Sequence, residues 1–232
     1  MWVYGIIISP MKSMNEEDLL KMTDCHRTVT RRGYCCIKRA VDIFFSLAAI
    51  AFFLPLFVLV GIAIRMDSPG PVFFLQQRAG RKGKPFRMIK FRSMYAGAES
   101  MRGDILHLNE ISGPVFKIMN DVRITHIGRI LRKFSLDELP QLFNIFLGSM
   151  SLVGPRPLPV SEMDRCSPEQ RQRLLVTPGL TGLWQVSGRN DIRDFNKWVY
   201  FDLHYVKHQS FLLDAKIIGR TFSVVISGKG AY

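Results

Sequence analysis

Between Asp42 and Arg65 this chain carries no charged side chain, and no other feature restricts its fold as strongly. As one straight helix the run rises about 33 Å, enough to cross the hydrocarbon of a bilayer. Pro55 sits inside it, where it removes a backbone hydrogen bond and predicts a kink. Both flanks are basic: Arg31, Arg32, Lys38 and Arg39 come before, and Arg65, Arg78, Arg81, Lys82 and Lys84 come after. A spanning helix would put one of these clusters on the side that basic residues avoid. A helix that enters, bends at Pro55 and returns to the same face satisfies both. A re-entrant membrane helix is therefore expected over residues 34–66, with an ordinary kinked transmembrane helix as the alternative. Asp42 needs a partner at that depth, and Arg39, nearly one turn back, is available.

Charge sharpens the choice of partners. Lysine and arginine number 32 against 19 acids, a net charge of +13. Such an excess points to a polyanion: an anionic bilayer surface, a phosphorylated small molecule or nucleic acid. The apolar fraction of 47 % favours the membrane. No RNA-recognition aromatic signature, zinc-type Cys/His spacing or heptad register is present, so no nucleic acid partner is expected. Cys25, Cys35, Cys36 and Cys166 show no secreted disulfide framework and are expected to be free thiols. The length suits one substantial core. Residues 1–33 begin apolar, from Trp2 to Ile8, and then turn polar. They lack the basic start and cleavage site of a signal peptide and are expected to form an arm. Arg27, Arg31 and Arg32 within it suit lipid headgroups.

Downstream of the apolar run, Met66 to Pro71 is a breaker-rich turn. Pro71–Gln77 and Pro85–Met94 are strand-like, and the basic, glycine-punctuated loop Arg78–Lys84 joins them into an expected β-hairpin. In the second strand, period two puts Lys90 and Arg92 on one face with Met88. That face either meets lipid headgroups or turns its two cations toward a phosphate-bearing substrate. Tyr95–Leu108 reads as helical, and Gly113–Lys117 as a turn into an extended piece. Over Val122–Phe134, Ile124, Ile127, Ile130, Leu131 and Phe134 share one helical face, which fits either an interfacial helix or one packed on the core.

Then Asp137 and Glu138 stand side by side within Ser135–Leu142. Paired acids commonly do no more than suit a helix start. Ser135 and Glu138 fit a capping box, but Pro140 then falls inside the helix; with Asp137 as N-cap, Pro140 falls in the first turn instead. Either register leaves both carboxylates at a helix start beside Arg132, which favours their ionised forms. Two ionised carboxylates can hold a divalent cation, and one can attack phosphorus. Pro155 and Pro157 restrain the backbone on either side of Arg156, which suits a guanidinium set to receive phosphate. Thr177–Val186 is a turn into an apolar strand-like run, and Asp194–His208 and Phe211–Ser227 read as helices.

Taken together the chain resembles the bacterial sugar transferase family, the monotopic phosphoglycosyl transferases. The resemblance runs from about Cys36 to Tyr232. It rests on Lys38-Arg39-x-x-Asp42 before the Pro-broken helix, Ser68-Pro69-Gly70-Pro71-Val72, Lys90-Phe91-Arg92-Ser93-Met94 and Ser135-Leu136-Asp137-Glu138-Leu139-Pro140-Gln141. Further along it rests on Gly154-Pro155-Arg156-Pro157, Pro178-Gly179-Leu180-Thr181-Gly182 and the closing Gly230-Ala231-Tyr232. Where many relatives have proline, Val122 stands in Asn120-Asp121-Val122-Arg123. The multi-pass domain of larger members has no counterpart here, so a minimal form is expected.

The resemblance implies transfer of a sugar 1-phosphate from a UDP-sugar to undecaprenyl phosphate, the first membrane step of exopolysaccharide, capsule or O-antigen synthesis. It implies Asp137 as nucleophile, Glu138 with Asp137 at a Mg²⁺ site, and Arg132 and Arg156, framed by Pro155 and Pro157, on phosphate oxygens. Lys90 and Arg92 are weaker candidates for the same anionic site. The expected fold is α/β, mostly helical: a membrane-associated single domain with a re-entrant helix anchored by Lys38, Arg39, Asp42 and Pro55, a basic hairpin and interfacial amphipathic helices. Its parts are an arm over 1–33, the membrane helix over 34–66 and a cytosolic catalytic domain over 67–232. The implied location is the cytoplasmic face of the bacterial inner membrane, against anionic lipids, with an oligomer possible. Two other classes remain: a non-enzymatic adaptor at the membrane surface, which has no use for the dyad, and a nucleic-acid-binding membrane protein. The sequence does not name the sugar.

Overall fold

Arg32–Asp67 forms one α-helix, α1, with Pro55 inside it. The computed structural model describes residues 32–118, 121–188 and 192–227. Most of the N-terminal arm, Cys25, Asn120 and the closing Gly230-Ala231-Tyr232 lie outside them. At 1.5 Å per residue α1 is about 54 Å long, and it is long and apolar enough to cross a membrane. Helical structure runs through Pro55 without interruption. A proline removes one hydrogen bond but need not end a helix whose neighbouring turns are packed. Here Phe53 and Phe57 hold those turns against the rest of the protein.

Side chains at three- and four-residue steps form one packed stripe down α1: Asp42, Ser46, Ala49, Ile50, Phe53, Phe57, Val60 and Ile64. The opposite face stays apolar and open, with Phe44 68 %, Phe52 78 % and Met66 82 % exposed. A water-soluble surface rarely shows so large a contiguous apolar patch, so this face is compatible with membrane association.

Both ends of α1 are tied to the same body. Near its start, Lys38 pairs with Asp214 at 2.8 Å, and Tyr34 donates to the same carboxylate. Arg39 donates to the carbonyls of Ile145 and Phe146, a cation at the exposed carbonyls of a helix C-terminus. Asp42 therefore does not pair with Arg39, as the sequence leads one to expect. Its Oδ1 accepts from the backbone N–H of Leu152 at 2.9 Å, and an N–H donor satisfies a carboxylate as a cation would. At the far end Asp67 accepts from Ile127 N–H at 3.0 Å.

After α1 come β1 (Phe73–Ala79) and β2 (Pro85–Phe91), antiparallel with Phe73 opposite Phe91 and Ala79 opposite Pro85. Phe91 is buried, stacks on Phe73 and leans on Phe57 of α1. The helix expected over Tyr95–Leu108 is instead a chain of turns with two 3-10 pieces, Ser100–Arg102 and Leu106–Leu108. Gly97 at φ +83° and the bends that follow stop a continuous helix. The amphipathic helix α2 is shorter than expected, His126–Lys133, because Thr125 caps it by accepting from Gly128 N–H. Its apolar residues divide: Ile127 and Leu131 pack toward α1, while Ile130 and Phe134 are exposed.

Beyond the dyad lie α3 (Gln141–Leu147), β3 (Ser151–Val153), α4 (Val160–Met163), α5 (Pro168–Arg171), a 3-10 turn over Gln172–Leu175 and β4 (Gly179–Thr181). The last two helices are α6 (Phe195–His208), capped by Asp194, and α7 (Phe211–Ser227). The main core gathers on α6, whose Trp198, Val199, Phe201, Leu203, Tyr205 and Val206 meet Val153, Leu183 and Ile217. β3 and β4 run parallel, Ser151 beside Gly179. Two loop motifs meet there. A Cβ on Gly179 would lie 2.0 Å from Gly154 N, so only glycine permits the crossing. The described cysteines, Cys35, Cys36 and Cys166, are free thiols.

Candidate active site

Neither capping register expected for the dyad is the one found. Ser135 turns the chain with φ +55°, and Leu136–Glu138 is a single 3-10 turn without a side-chain cap. Pro140 is the N-cap of α3, where its missing N–H costs no helical bond. A left-handed non-glycine residue just before paired carboxylates is backbone strain of the kind that collects at functional sites. In a 3-10 turn successive side chains are about 120° apart, and the two acids diverge accordingly.

Glu138 is clamped. Lys90 Nζ lies 3.1 Å from its Oε1, Arg156 Nη1 lies 3.1 Å from Oε2, and Arg156 Nη2 also pairs with Oε1. Burial alone would raise its pKa, but Arg156 first and Lys90 second overcome that and hold it well below the usual carboxylate range. Asp137 is buried and makes no hydrogen bond or ion pair among the described residues. Burial raises its pKa above the ordinary aspartate value; Lys90 and Arg132 oppose the shift and the Glu138 charge adds to it. One carboxylate is thus committed and the other is free.

The dyad opens on a cavity of about 330 Å³. Arg78, Lys90, Lys117, Arg132 and Arg156 line it, with Asp137, Glu138 and Glu162 as its acids. Arg132 is steadied by donating from Nε to Ser93 Oγ at 2.9 Å. Arg156, Arg132 and Lys90 therefore meet at the dyad, as the sequence leads one to expect. Pro155 and Pro157 do not line the cavity but frame the loop that delivers Arg156.

Arg92 is the exception. Its guanidinium is buried away from the cavity and donates to Ser68 O at 2.7 Å and to Pro69 O. It caps the carbonyls at the end of α1 instead of meeting a substrate. Strict alternation puts Lys90 and Arg92 on one face of a flat strand; Arg92, just past Phe91 at the end of β2, still donates its N–H to Val72 O at 2.9 Å, but there the carbonyls at the end of α1 lie within its side chain's reach.

Val115, Phe116, Trp184, Gln185 and Trp198 are among the other wall residues, and the sequence did not single them out for the site. Trp184 and Trp198 stack at 4.2 Å. They come from a turn, a loop and a helix far apart in sequence, and no spacing rule connects them.

A divalent cation can be tested against this donor set. Both Glu138 oxygens already face cations, so Glu138 does not fit as a free metal ligand. Asp137 does fit, and Mg²⁺ characteristically combines one or two carboxylates with substrate phosphates and water. No group of three or more His, Cys, Asp or Glu side chains that could hold a metal occurs among the described residues. The residues suit an ion shared with a bound phosphate and not a dedicated protein cage.

The open apolar face of α1 is compatible with membrane association, and the pocket gathers cations around a carboxylate pair. The chain belongs to the bacterial sugar transferase family, whose model matches residues 33–228. It is 49 % identical over 168 residues to the galactosyl transferase CpsE of Streptococcus agalactiae, covering 72 % of this chain and 37 % of that one. It is 42 % identical over 208 residues to the undecaprenyl-phosphate galactose phosphotransferase of Salmonella typhimurium, covering 88 % and 43 %. With the exopolysaccharide production protein ExoY of Sinorhizobium fredii it shares 38 % over 199 residues, 84 % of this chain and 88 % of the relative. The match thus spans about two-fifths of the first two relatives and most of the third.

Proposed function

We propose that this chain transfers a sugar 1-phosphate from a UDP-sugar to undecaprenyl phosphate, the initiating step of exopolysaccharide, capsule or O-antigen synthesis. The observation that carries the reading is the uncommitted, buried Asp137 carboxylate facing a cavity ringed by Lys90, Arg132 and Arg156. The names of the Salmonella and Sinorhizobium relatives supply the acceptor and the pathway. In the first step an Asp137 oxygen attacks the sugar-linked phosphorus, the bond to the other phosphate breaks, and UMP leaves with that electron pair. In the second step a phosphate oxygen of the lipid attacks the same phosphorus, the aspartyl bond breaks, and Asp137 is free again. Two in-line displacements retain configuration at phosphorus and give ping-pong kinetics.

Phosphoryl transfer asks a protein mainly for positioning and charge neutralisation. Arg132 and Lys90 flank the attack, and Arg156, fixed on Glu138, presents its guanidinium to the diphosphate. Mg²⁺, held by Asp137 and substrate phosphates, would supply further neutralisation of the leaving UMP. The test is UMP release across a panel of UDP-sugars with undecaprenyl phosphate and Mg²⁺. Release from one sugar nucleotide, coupled to formation of the lipid-linked sugar, is the expected result. A protein that binds the lipid and releases no UMP from any of them would leave the adaptor reading.

The site lies on the cytoplasmic face of the inner membrane in this reading, with α1 seated in one leaflet beside anionic lipids. A spanning helix needs lipid around its middle and its ends on opposite sides. The packed stripe along α1, with Lys38 and Asp67 tied to the same body, supports a helix whose two ends are held at one face instead. Single cysteines in the N-terminal arm and at the C-terminus are both expected to label from the cytoplasm. Labelling from opposite sides would restore the transmembrane alternative.

A further inference from the structure

Three consecutive carbonyls in the loop that carries Arg156 are each held from a different element. Pro155 O accepts from Gly179 N–H of β4 at 2.9 Å. Arg156 O accepts from Arg173 Nη2 at 2.9 Å, and Pro157 O from Arg78 Nη1 at 2.9 Å. Pro155 and Pro157 have no N–H of their own, so their segment is pinned largely through its acceptors. Arg78 reaches it from the cavity wall. Arg173 reaches it from inside the core.

Arg173 is 1 % exposed and forms an ion pair with Asp202 of α6, itself fully buried. The Arg173 guanidinium also lies over the Phe195 ring. Neither Arg173 nor Asp202 lines the cavity. A buried ion pair is a weak device for stability. The loss of hydration can exceed the Coulombic gain, and apolar side chains of similar volume often do as well or better. A pair fully buried beside Phe195 needs another explanation. What it supplies, and leucine or methionine cannot, is a charged donor for the one carbonyl on Arg156 itself.

Resting on the function proposed above, we infer that Arg173, oriented by Asp202, is a positioning residue for Arg156. By holding the Arg156 carbonyl it fixes the direction in which the guanidinium leaves the backbone, toward Glu138 and the substrate phosphates. Arg173 touches no substrate; it acts through Arg156. Nη2 alone makes both contacts, facing an Asp202 oxygen and donating to the Arg156 carbonyl, so the carboxylate sets the direction of the nitrogen that holds the loop.

The experiment compares the full-length wild type with the double variant Arg173→Met/Asp202→Leu and with Arg173→Lys, in detergent or nanodiscs. Thermal unfolding, backbone hydrogen exchange of residues 154–158 and the kinetics of UMP release are measured on each. The double variant is expected to unfold at or above the wild-type temperature. Its exchange over 154–158 is expected to quicken about tenfold or more, and kcat/KM to fall about 100-fold, the scale of a misplaced catalytic group. Arg173→Lys keeps the charge but ends one bond short of the Nη2 position that holds the carbonyl, so the same kinetic loss is expected with the fold intact. It also decides the matter should the double variant not fold. Wild-type activity per folded molecule, with unchanged exchange over 154–158, would overturn the inference and leave the pair a plain core feature. The exchange arm needs no turnover. A wild type that releases no UMP while the variants still loosen 154–158 would sink the proposed function and keep the positioning role.

Discussion

Asp137→Asn lowers UMP release by about 10³-fold or more, the scale expected when a covalent nucleophile is removed. The substitution keeps shape and volume and takes away only the charge. Asp137 makes no hydrogen bond or ion pair among the described residues that asparagine would break. Its pKa is raised by burial, so the folded state disfavours its ionised form. The sign follows from linkage. A carboxyl whose folded pKa lies above its unfolded value destabilises the fold once pH rises above the unfolded value. Asp137→Asn is therefore expected to be at least as stable as the wild type at neutral pH, and loss of activity cannot be blamed on unfolding. Exchanging activity for stability in this way is common at active sites. Incubated with its UDP-sugar and no lipid, the wild type should gain the mass of a phosphosugar, and the variant should not. Because attack needs the ionised form, the acidic limb of kcat/KM should lie above the ordinary aspartate range. A variant with normal turnover would remove Asp137 from the chemistry.

The site was legible wherever chemistry sits in short motifs. Asp137, Glu138, Arg132 and Arg156 lie within twenty-five residues of one another, and the structure brings them together with Lys90. Partners set by tertiary contact were not legible. Arg92 shares a period with Lys90 in a flat strand, yet it turns to the carbonyls of Ser68 and Pro69 once the strand ends. Asp42 finds Leu152 N–H, 110 residues away, instead of the arginine one turn back. Trp184, Trp198 and Phe116 reach the cavity from three separate segments. In α1 the charge-free run was plain, but its packed stripe was hidden. Apart from Ser46 every side chain between Asp42 and Arg65 is apolar whichever way it faces, so composition could not show which face packs and which stays open. Pro55 marked a position of weakness; packing on both sides decided that helix continues through it.

Glu138→Gln is expected to lower kcat/KM about 100-fold and stability by about 3 kcal/mol, the low end of the range for breaking a buried pair, because Glu138 keeps some solvent contact. Its carboxylate holds Arg156 and Lys90 at once. Glutamine keeps one acceptor and no charge, leaving two buried cations short of a partner. The stability difference depends on pH. Glu138 has a depressed folded pKa, so its contribution is full above the unfolded glutamate value and is lost as pH falls toward the folded one. Wild type and variant should differ most near neutrality and converge in acid. The kinetics carry a second sign. The Glu138 charge helps raise Asp137, while Lys90 and Arg156 lower it. Removing Glu138 takes away the first effect and leaves the cations unopposed, so the acidic limb of kcat/KM should move to lower pH even as its height falls. Magnesium separates this organising role from direct ligation. A metal ligand replaced by glutamine weakens binding, and excess Mg²⁺ then restores rate. A residue that aims Arg156 and Lys90 cannot be replaced by more metal. Activity of Glu138→Gln should stay low at saturating Mg²⁺, and full rescue there would return Glu138 to the metal site.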